Sequence, residues 1–282
     1  MRAHGDLPRL IRLIGAAKLA LILGLWAISA AANGFQRLEG HGGPVKGVAI
    51  SDDGRWALTA SFDYSVGLWD LQEGGEPRWL EGHEAAVNAV AFLGEDRALS
   101  ASDDFTLVLW DLPTGDVTRR FAGHKGKILD IAVSPDGRFA ATAGWDGWAA
   151  VWDLAGETEA RWLKGHKGNV NDVSFSADGT HVYTASYDGT IRRWVAETGD
   201  LERTLVRHGF GVNHLVLNEA SGWLAYGAVD GVVRVIDLAT DAEIADLTAH
   251  RLPVLALAAN HDMTRLAVGD GEGYVMLSLI HI

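Results

Sequence analysis

The sequence predicts an all-β fold: six four-stranded repeat units set side by side around an axis, preceded by a hydrophobic N-terminal helix. Three observations predict it. A Gly-His pair recurs at Gly40-His41, Gly82-His83, Gly123-His124 and Gly165-His166, with variants at Arg207-His208 and Ala249-His250, and the histidines stand 42, 41, 42, 42 and 42 residues apart. A second series keeps step at Trp69-Asp70, Trp110-Asp111, Trp152-Asp153, Trp194-Val195 and Ile236-Asp237, spaced 41, 42, 42 and 42. The composition agrees, since 34 Gly and 11 Trp with only six Pro is a mix suited to short strands and tight turns. A repeat of this period marks an array of like supersecondary units.

The first element is residues 1–32. Arg2, Arg9, Arg12 and Lys18 precede the apolar run LALILGLWAISAAA (Leu19 to Ala32), and Ala30 and Ala32 form an A-x-A site. A basic start, an apolar middle and a small-residue end describe a secretory signal peptide. The run is short for a membrane span and has no polar face to suit a soluble helix. An uncleaved signal anchor is the alternative. The segment places the protein in an exported compartment, the bacterial periplasm, or on the inner membrane facing it. Its removal takes away four basic residues and one acid, so the net charge moves from -13 to -16.

The repeats follow over residues 33–276, in units of about 35–78, 79–118, 119–160, 161–202, 203–244 and 245–276. In the first, VKGVAI (Val45 to Ile50) is an alternating strand and SDDGR a turn. WALTA, the turn SFDYS, VGLWD and PRWLEG complete the unit. Asp53-Gly54, Asp136-Gly137 and Asp178-Gly179 suit two-residue hairpins, because Gly accepts positive φ without a steric penalty. One such sheet is too thin to bury its own faces, whereas sheets packed around an axis bury one another.

The Gly-His to Trp-Asp unit resembles the WD40 repeat family, and the resemblance covers Phe35 to about Met276. It implies a β-propeller with a hydrogen-bonded tetrad in each blade. By position the tetrads are His41, Thr59, Asp63 and Trp69; His83, Ser100, Asp104 and Trp110; His124, Thr142, Asp146 and Trp152; and His166, Thr184, Asp188 and Trp194. A buried Asp needs donors, a His can relay, and an indole N–H needs an acceptor. The fifth unit keeps His208 and Asp230 but has Tyr226 and Ile236, and the sixth has His250, Val268, Glu272 and Ser278. Those two blades are expected to rely on apolar packing. Propellers of this family commonly close with seven blades, and Phe35 to Leu38 (FQRL) reads as the outer strand of a closing blade.

The chain ends in LSLIHI, Leu277 to Ile282. These residues are the translation of CTG TCT CTT ATA CAC ATC, which looks like a transposon-end adapter used in DNA library preparation. The expectation is that residues 277–282 are adapter-derived and that the gene continues beyond them.

Several function classes are excluded or unsupported. A net charge of -13 lacks the clustered cations of a nucleic-acid footprint. With no Cys there is no disulfide, zinc-thiolate site, thiol nucleophile or attached c-type haem. Of 11 His, six are the repeat residues, His4 lies in the signal region, and His181, His214, His261 and His281 show no ligand spacing. The GDGEG stretch (Gly269 to Gly273) and the Asp52-Asp53 turn read as turns, not calcium loops. No phosphate loop or G-x-S-x-G is present, and no convergent acid, base or metal groups are expected at the central channel. No catalytic residue, metal or cofactor is therefore assigned.

What remains is surface. The residue before each tetrad Asp and the second residue of each inner strand face one end of the ring. Phe62, Asp103, Trp145 and Tyr187 belong to the first set, and Lys46, Asn88, Asn171 and Asn213 to the second. Large aromatics and Asn amides together suit an extended protein or peptide partner. The reading is a non-catalytic protein-interaction scaffold. The alternative is the propeller half of a larger periplasmic redox protein, whose c-type cytochrome module would carry a Cys-x-x-Cys-His lying outside this chain.

Overall fold

Every regular element among the described residues is a β-strand. The computed structural model describes residues 38–156, 158–248, 251–260 and 263–279. The expected signal segment, most of the FQRL strand, His250 and residues 280–282 lie outside them. Residues Gly40–Ile282 form one compact unit, and all the strands among the described residues belong to it.

Blade one is β1 (Val45–Ile50), β2 (Trp56–Ser61), β3 (Val66–Asp70) and β4 (Arg78–Leu80). Blade two is β5 (Val87–Phe92), β6 (Arg97–Ser102), β7 (Thr106–Asp111) and β8 (Val117–Ala122). Blade three is β9 (Ile128–Val133), β10 (Phe139–Gly144), β11 (Trp148–Asp153) and β12 (Arg161–Lys164). Blade four is β13 (Val170–Phe175), β14 (His181–Ser186), β15 (Thr190–Val195) and β16 (Leu201–Arg207). Blade five is β17 (Val212–Asn218), β18 (Trp223–Ala228), β19 (Val232–Asp237) and β20 (Glu243–Thr248). Blade six has β21 (Val254–Ala259), β22 (Arg265–Asp270) and β23 (Val275–Leu279). All pairings are antiparallel meanders; the first five sheets have four strands and the sixth has three among the described residues.

The architecture is a six-bladed β-propeller, and its core sits between blades. Leu58, Val66 and Leu80 of blade one pack on Val87, Val108 and Trp110 of blade two. Leu99, Leu107 and Phe121 then meet Ile128, Ile131 and Trp152, and three further layers repeat the arrangement around the ring. Trp110 and Trp194 are almost wholly buried, and a large side chain buried this way stabilises by about 2–3 kcal/mol. The alternation that the repeats display is therefore two-sided, because each sheet is sandwiched by its neighbours.

The β1–β2 connection is longer than a two-residue hairpin. Gly54 N–H donates to Ser51 O and Ser51 N–H to Trp56 O. Asp53 accepts from the Ser51 hydroxyl and the Arg55 amide, so the Asp caps the turn and Gly54, at φ 69°, carries the chain out of it. Blades three and four repeat this turn with Asp136 and Gly137 and with Asp178 and Gly179. The side-chain hydroxyl two residues before each Asp selects the longer loop. The Asp of each Trp-Asp pair serves a related purpose, Asp70 accepting the amides of Gln72 and Glu73 after β3.

Each inner strand carries a β-bulge at its second residue. The register skips Lys46 between Val45 and Gly47, and the same skip recurs at Asn88, Leu129, Asn171, Asn213 and Leu255. A bulge leaves one residue unpaired and re-aims the side chains beside it. Here the re-aimed residues line the central channel, a cavity of about 400 Å3 bounded by all six inner strands.

Candidate functional site

Three structural features meet near the end of the ring where the Gly-His segments enter: the tetrads, the exposed aromatics and the channel wall. Backbone bonds tie this end together. Phe62 N–H donates to Pro44 O, Asp103 to Ala86, Trp145 to Lys127, Tyr187 to Asn169 and Val229 to Gly211. Each bond holds the second turn of a blade against the entry of its own inner strand.

The structure brings each of the four assigned tetrads into one hydrogen-bonded chain. In blade two, Trp110 Nε1–H donates to Ser100 Oγ at 2.7 Å, Ser100 lies 2.7 Å from His83 Nε2, and His83 Nδ1 lies 2.7 Å from Asp104. In blade one the corresponding distances through Trp69, Thr59, His41 and Asp63 are 2.8, 2.6 and 2.9 Å. Through Trp152, Thr142, His124 and Asp146 they are 2.9, 2.8 and 2.9 Å. Through Trp194, Thr184, His166 and Asp188 they are 2.8, 2.8 and 3.1 Å.

One tautomer satisfies every link. The carboxylate can only accept, so Nδ1 carries the proton; Nε2 then accepts from the hydroxyl, and the hydroxyl oxygen accepts from the indole. Burial alone would raise the Asp63 carboxyl, but bonds from Ser65, His41 and the Gly42 amide outweigh it and hold it well below the usual range. Asp104 and Asp188 are depressed in the same way. Burial, aided by the charge of Arg192, pushes the His166 imidazole down to about 4 against the opposing pull of Asp188.

Blade five departs from the pattern. His208 Nε2 stands 3.8 Å from Asp230, and Arg234 takes over the carboxylate with a two-pronged ion pair at 3.2 and 2.8 Å. Both side chains are largely buried, so this blade retains a polar lock as well as the apolar packing expected of it. In blade six Val268 is buried and Glu272 is exposed.

Of the residues assigned to the contact face, Phe62, Trp145 and Tyr187 are 45%, 50% and 58% exposed. Asp103 is engaged: Lys127 Nζ bonds it at 2.5 Å and the Asn88 amide at 2.7 Å, and Lys127 also lies 5.1 Å over the Trp145 ring. The three Asn amides bridge blades. Asn88 donates to Ile128 O, Asn171 to Val212 O and Asn213 to Val254 O, in each case the first residue of the next inner strand. Lys46 lines the channel mouth and is exposed.

Tyr64, Phe105 and Phe210 are exposed aromatics of the same end that pattern reasoning passed over. Tyr64 and Phe105 hold φ of 74° and 69°, where blades three to six place Gly147, Gly189, Gly231 and Gly273. The left-handed conformation is unfavourable for a bulky residue by about 1–2 kcal/mol. Comparing SFDYS and SDDFT with the equivalent Gly-bearing turns of later repeats would have exposed the substitution.

The channel corrects the expectation that no acid or base groups converge there. Asp130, Asp172 and His214 occupy the third position of β9, β13 and β17; Asp130 and His214 line the channel, and Asp172 is buried beside them. His214 Nδ1 lies 2.8 Å from Asp172. Asp172 accepts the Leu215 amide at 3.0 Å, and Asp130 accepts the Val173 amide at 3.1 Å. Each carboxylate thus binds the backbone of the next blade. Burial, reinforced by the charge of Asp172, pushes the Asp130 carboxyl up to about 8. Burial alone would depress the His214 imidazole, but its bond to Asp172 and the charges of Asp172 and Asp130 raise it. The signal was present in the numbering, since 130, 172 and 214 are spaced by the repeat period of 42. It was missed because a search for local ligand spacing does not look one repeat away. Among the described residues no group of three or more His, Asp or Glu side chains is arranged to hold a metal ion.

The WD domain, G-beta repeat family model matches residues 34–70, 75–111, 115–153 and 157–194, more than half of the chain. The sequence is 40% identical over 58 residues to the human protein "Dynein assembly factor with WD repeat domains 1", a match covering 21% of this chain and 14% of that one. It is 51% identical over 39 residues to "Small ribosomal subunit protein RACK1" of Trypanosoma brucei brucei, covering 14% and 12%. It is 40% identical over 55 residues to "Lissencephaly-1 homolog" of Monosiga brevicollis, covering 20% and 13%. The chain therefore spans about one seventh of the length of these relatives.

Proposed function

The chain belongs to the WD40 (WD domain, G-beta repeat) family, and from that premise we propose that it is a non-catalytic scaffold in an exported compartment, capturing a protein partner at the Gly-His end of its ring. The observation that carries the reading is the pair Tyr64 and Phe105, aromatic side chains kept at strained, exposed turn positions where Gly would relieve the strain. Backbone strain persists where the surrounding structure and a function retain it. Phe62, Trp145, Tyr187 and Phe210 extend the aromatic surface around the same end, and such side chains dominate contact energetics. The relatives named above support a binding role by family. The exported location is carried by the composition of residues 1–32 alone.

The test replaces Trp145 and Tyr187 together with Ala. Affinity capture should lose a partner that the parent chain retains, while the thermal unfolding midpoint moves by less than about 2 °C, as for surface changes below about 0.5 kcal/mol. A collapse of the midpoint would make them core residues and defeat the proposal. Fusing residues 1–32 to a reporter active only outside the cytoplasm tests the location, and an inactive fusion would remove it.

A further inference from the structure

Outside the ring end and the channel, the most unusual surface is a groove between the outer strands of blades two and three. We propose that this groove binds an extended acidic peptide segment, through cations on its two walls and a floor of Trp. Its volume is about 590 Å3, roughly twenty times a water molecule's ~30 Å3 share of the liquid. Arg119 and Arg120 come from β8, Lys125 from the segment after it, and Lys164 from β12; Trp148, Trp152 and Trp162 also line it. Among the described residues Glu159 is the one carboxylate lining it, in a chain whose overall charge is -13.

The cations are held in place, and of the four only Arg120 has a carboxylate within ion-pair distance among the described residues. Arg119 bonds the carbonyls of Asp153 and Gly156 and lies 4.4 Å over Phe121. Arg120 bonds the Gly82 carbonyl and Thr106, with Asp104 at 3.6 Å. Lys164 Nζ lies 3.9 Å over Trp148, and Lys125 Nζ approaches the same ring at 5.5 Å. Among the described residues neither lysine has a carboxylate within ion-pair distance. Two ammonium groups sharing one indole repel each other, and an incoming carboxylate relieves that repulsion. The choice of a peptide follows from the walls. Both β8 and β12 are the outermost strands of their sheets, and an outer strand presents unpaired N–H and C=O groups that an extended chain can meet. The acidic remainder of the surface repels polyanions such as nucleic acid, whereas a short acidic segment reaches the local cations within about one Debye length.

The probe is a fluorescein-labelled Asp-Glu-Asp-Glu-Asp-Glu peptide, read by fluorescence anisotropy on the full chain at about 50 mM salt, with an Asn-Gln-Asn-Gln-Asn-Gln control. Parent protein should bind the acidic peptide and not the control. Lys125→Gln/Lys164→Gln should weaken binding at least tenfold, and Trp145→Ala/Tyr187→Ala should leave it unchanged. Lys125→Glu/Lys164→Glu repeats the test with charge reversed, and a far-ultraviolet circular dichroism spectrum and thermal unfolding midpoint matching the parent's verify the fold of either pair. The proposal is overturned if the parent does not bind, if both lysine pairs bind as the parent does, or if inorganic phosphate or a single-stranded oligonucleotide displaces the peptide at equal charge concentration.

Discussion

Replacing Asp130 with Asn should stabilise the protein, and the gain should grow with pH. Asp130 sits on the channel wall and accepts the Val173 amide at 3.1 Å. The charged and titratable groups lining the channel with it are His214 on β17 and Lys46 on β1, with Asp172 on β13 buried behind His214; β5 and β21 contribute neutral residues. Its carboxyl is pushed up to about 8 from 3.8, by burial first and then by Asp172. Below pH 3.8 both folded and unfolded chains hold the proton. Between that value and 8 the unfolded chain releases it and the folded chain does not, so stability falls as pH rises. At about 1.4 kcal/mol per unit the loss reaches about 4 kcal/mol at pH 7, an upper bound that water entering the channel reduces. His214, also raised, contributes stability that is lost on the same side. Asn keeps the carbonyl that Val173 needs and cannot ionise. Urea unfolding followed by Trp fluorescence at pH 5, 6, 7, 8 and 9 should show the difference between variant and parent rising by more than about 1 kcal/mol from pH 5 to pH 8 and then levelling. A difference that is flat with pH, or a variant less stable than the parent at pH 8, would refute the assignment of a protonated Asp130.

Other expectations follow from the tetrads and turns. Ser100→Ala strands the Trp110 indole N–H and the His83 imidazole in a buried site, and should lower stability by about 2–4 kcal/mol in urea unfolding; Ser100→Thr, which matches blades one, three and four, should lose less than about 1 kcal/mol. Tyr64→Gly and Phe105→Gly should each raise stability by about 1 kcal/mol in thermal unfolding, through release of the left-handed strain, while weakening partner capture. Long-range nitrogen–proton spectra should show His166 as the Nδ1–H tautomer at pH 7, titrating near 4 because burial disfavours its charged form; a midpoint at the ordinary histidine value would contradict the closed tetrad.

The residues whose role repeats every 41 or 42 positions were legible in the sequence, because each blade solves the same packing problem with the same side chains. His83, Ser100, Asp104 and Trp110 fall into register for that reason, and so do the alternating strands such as Val45–Ile50 and Trp56–Ser61. What was not legible depends on a backbone irregularity that a pattern of two does not contain. The bulge at Lys46, Asn88, Leu129, Asn171, Asn213 and Leu255 shifts the register by one. Asn88, Asn171 and Asn213, which without it read as free amides for a partner, turn inward to carbonyls of the next blade. The same shift sets Asp130 and His214 on the channel wall, with Asp172 buried beside them. Their places in blades one, two and six are held by Gly47, Ala89 and Ala256, so this one position is charged or titratable in three blades and small and neutral in the other three. That asymmetry cannot come from the repeat, which treats all blades alike. The fold needs the bulge in every blade, but it does not need a carboxylate in two of them, since Gly and Ala serve elsewhere in the ring. An Asp130 on the channel wall that weakens the fold as pH rises is therefore a departure from the stability optimum, and the pH series on Asp130→Asn measures how large that departure is.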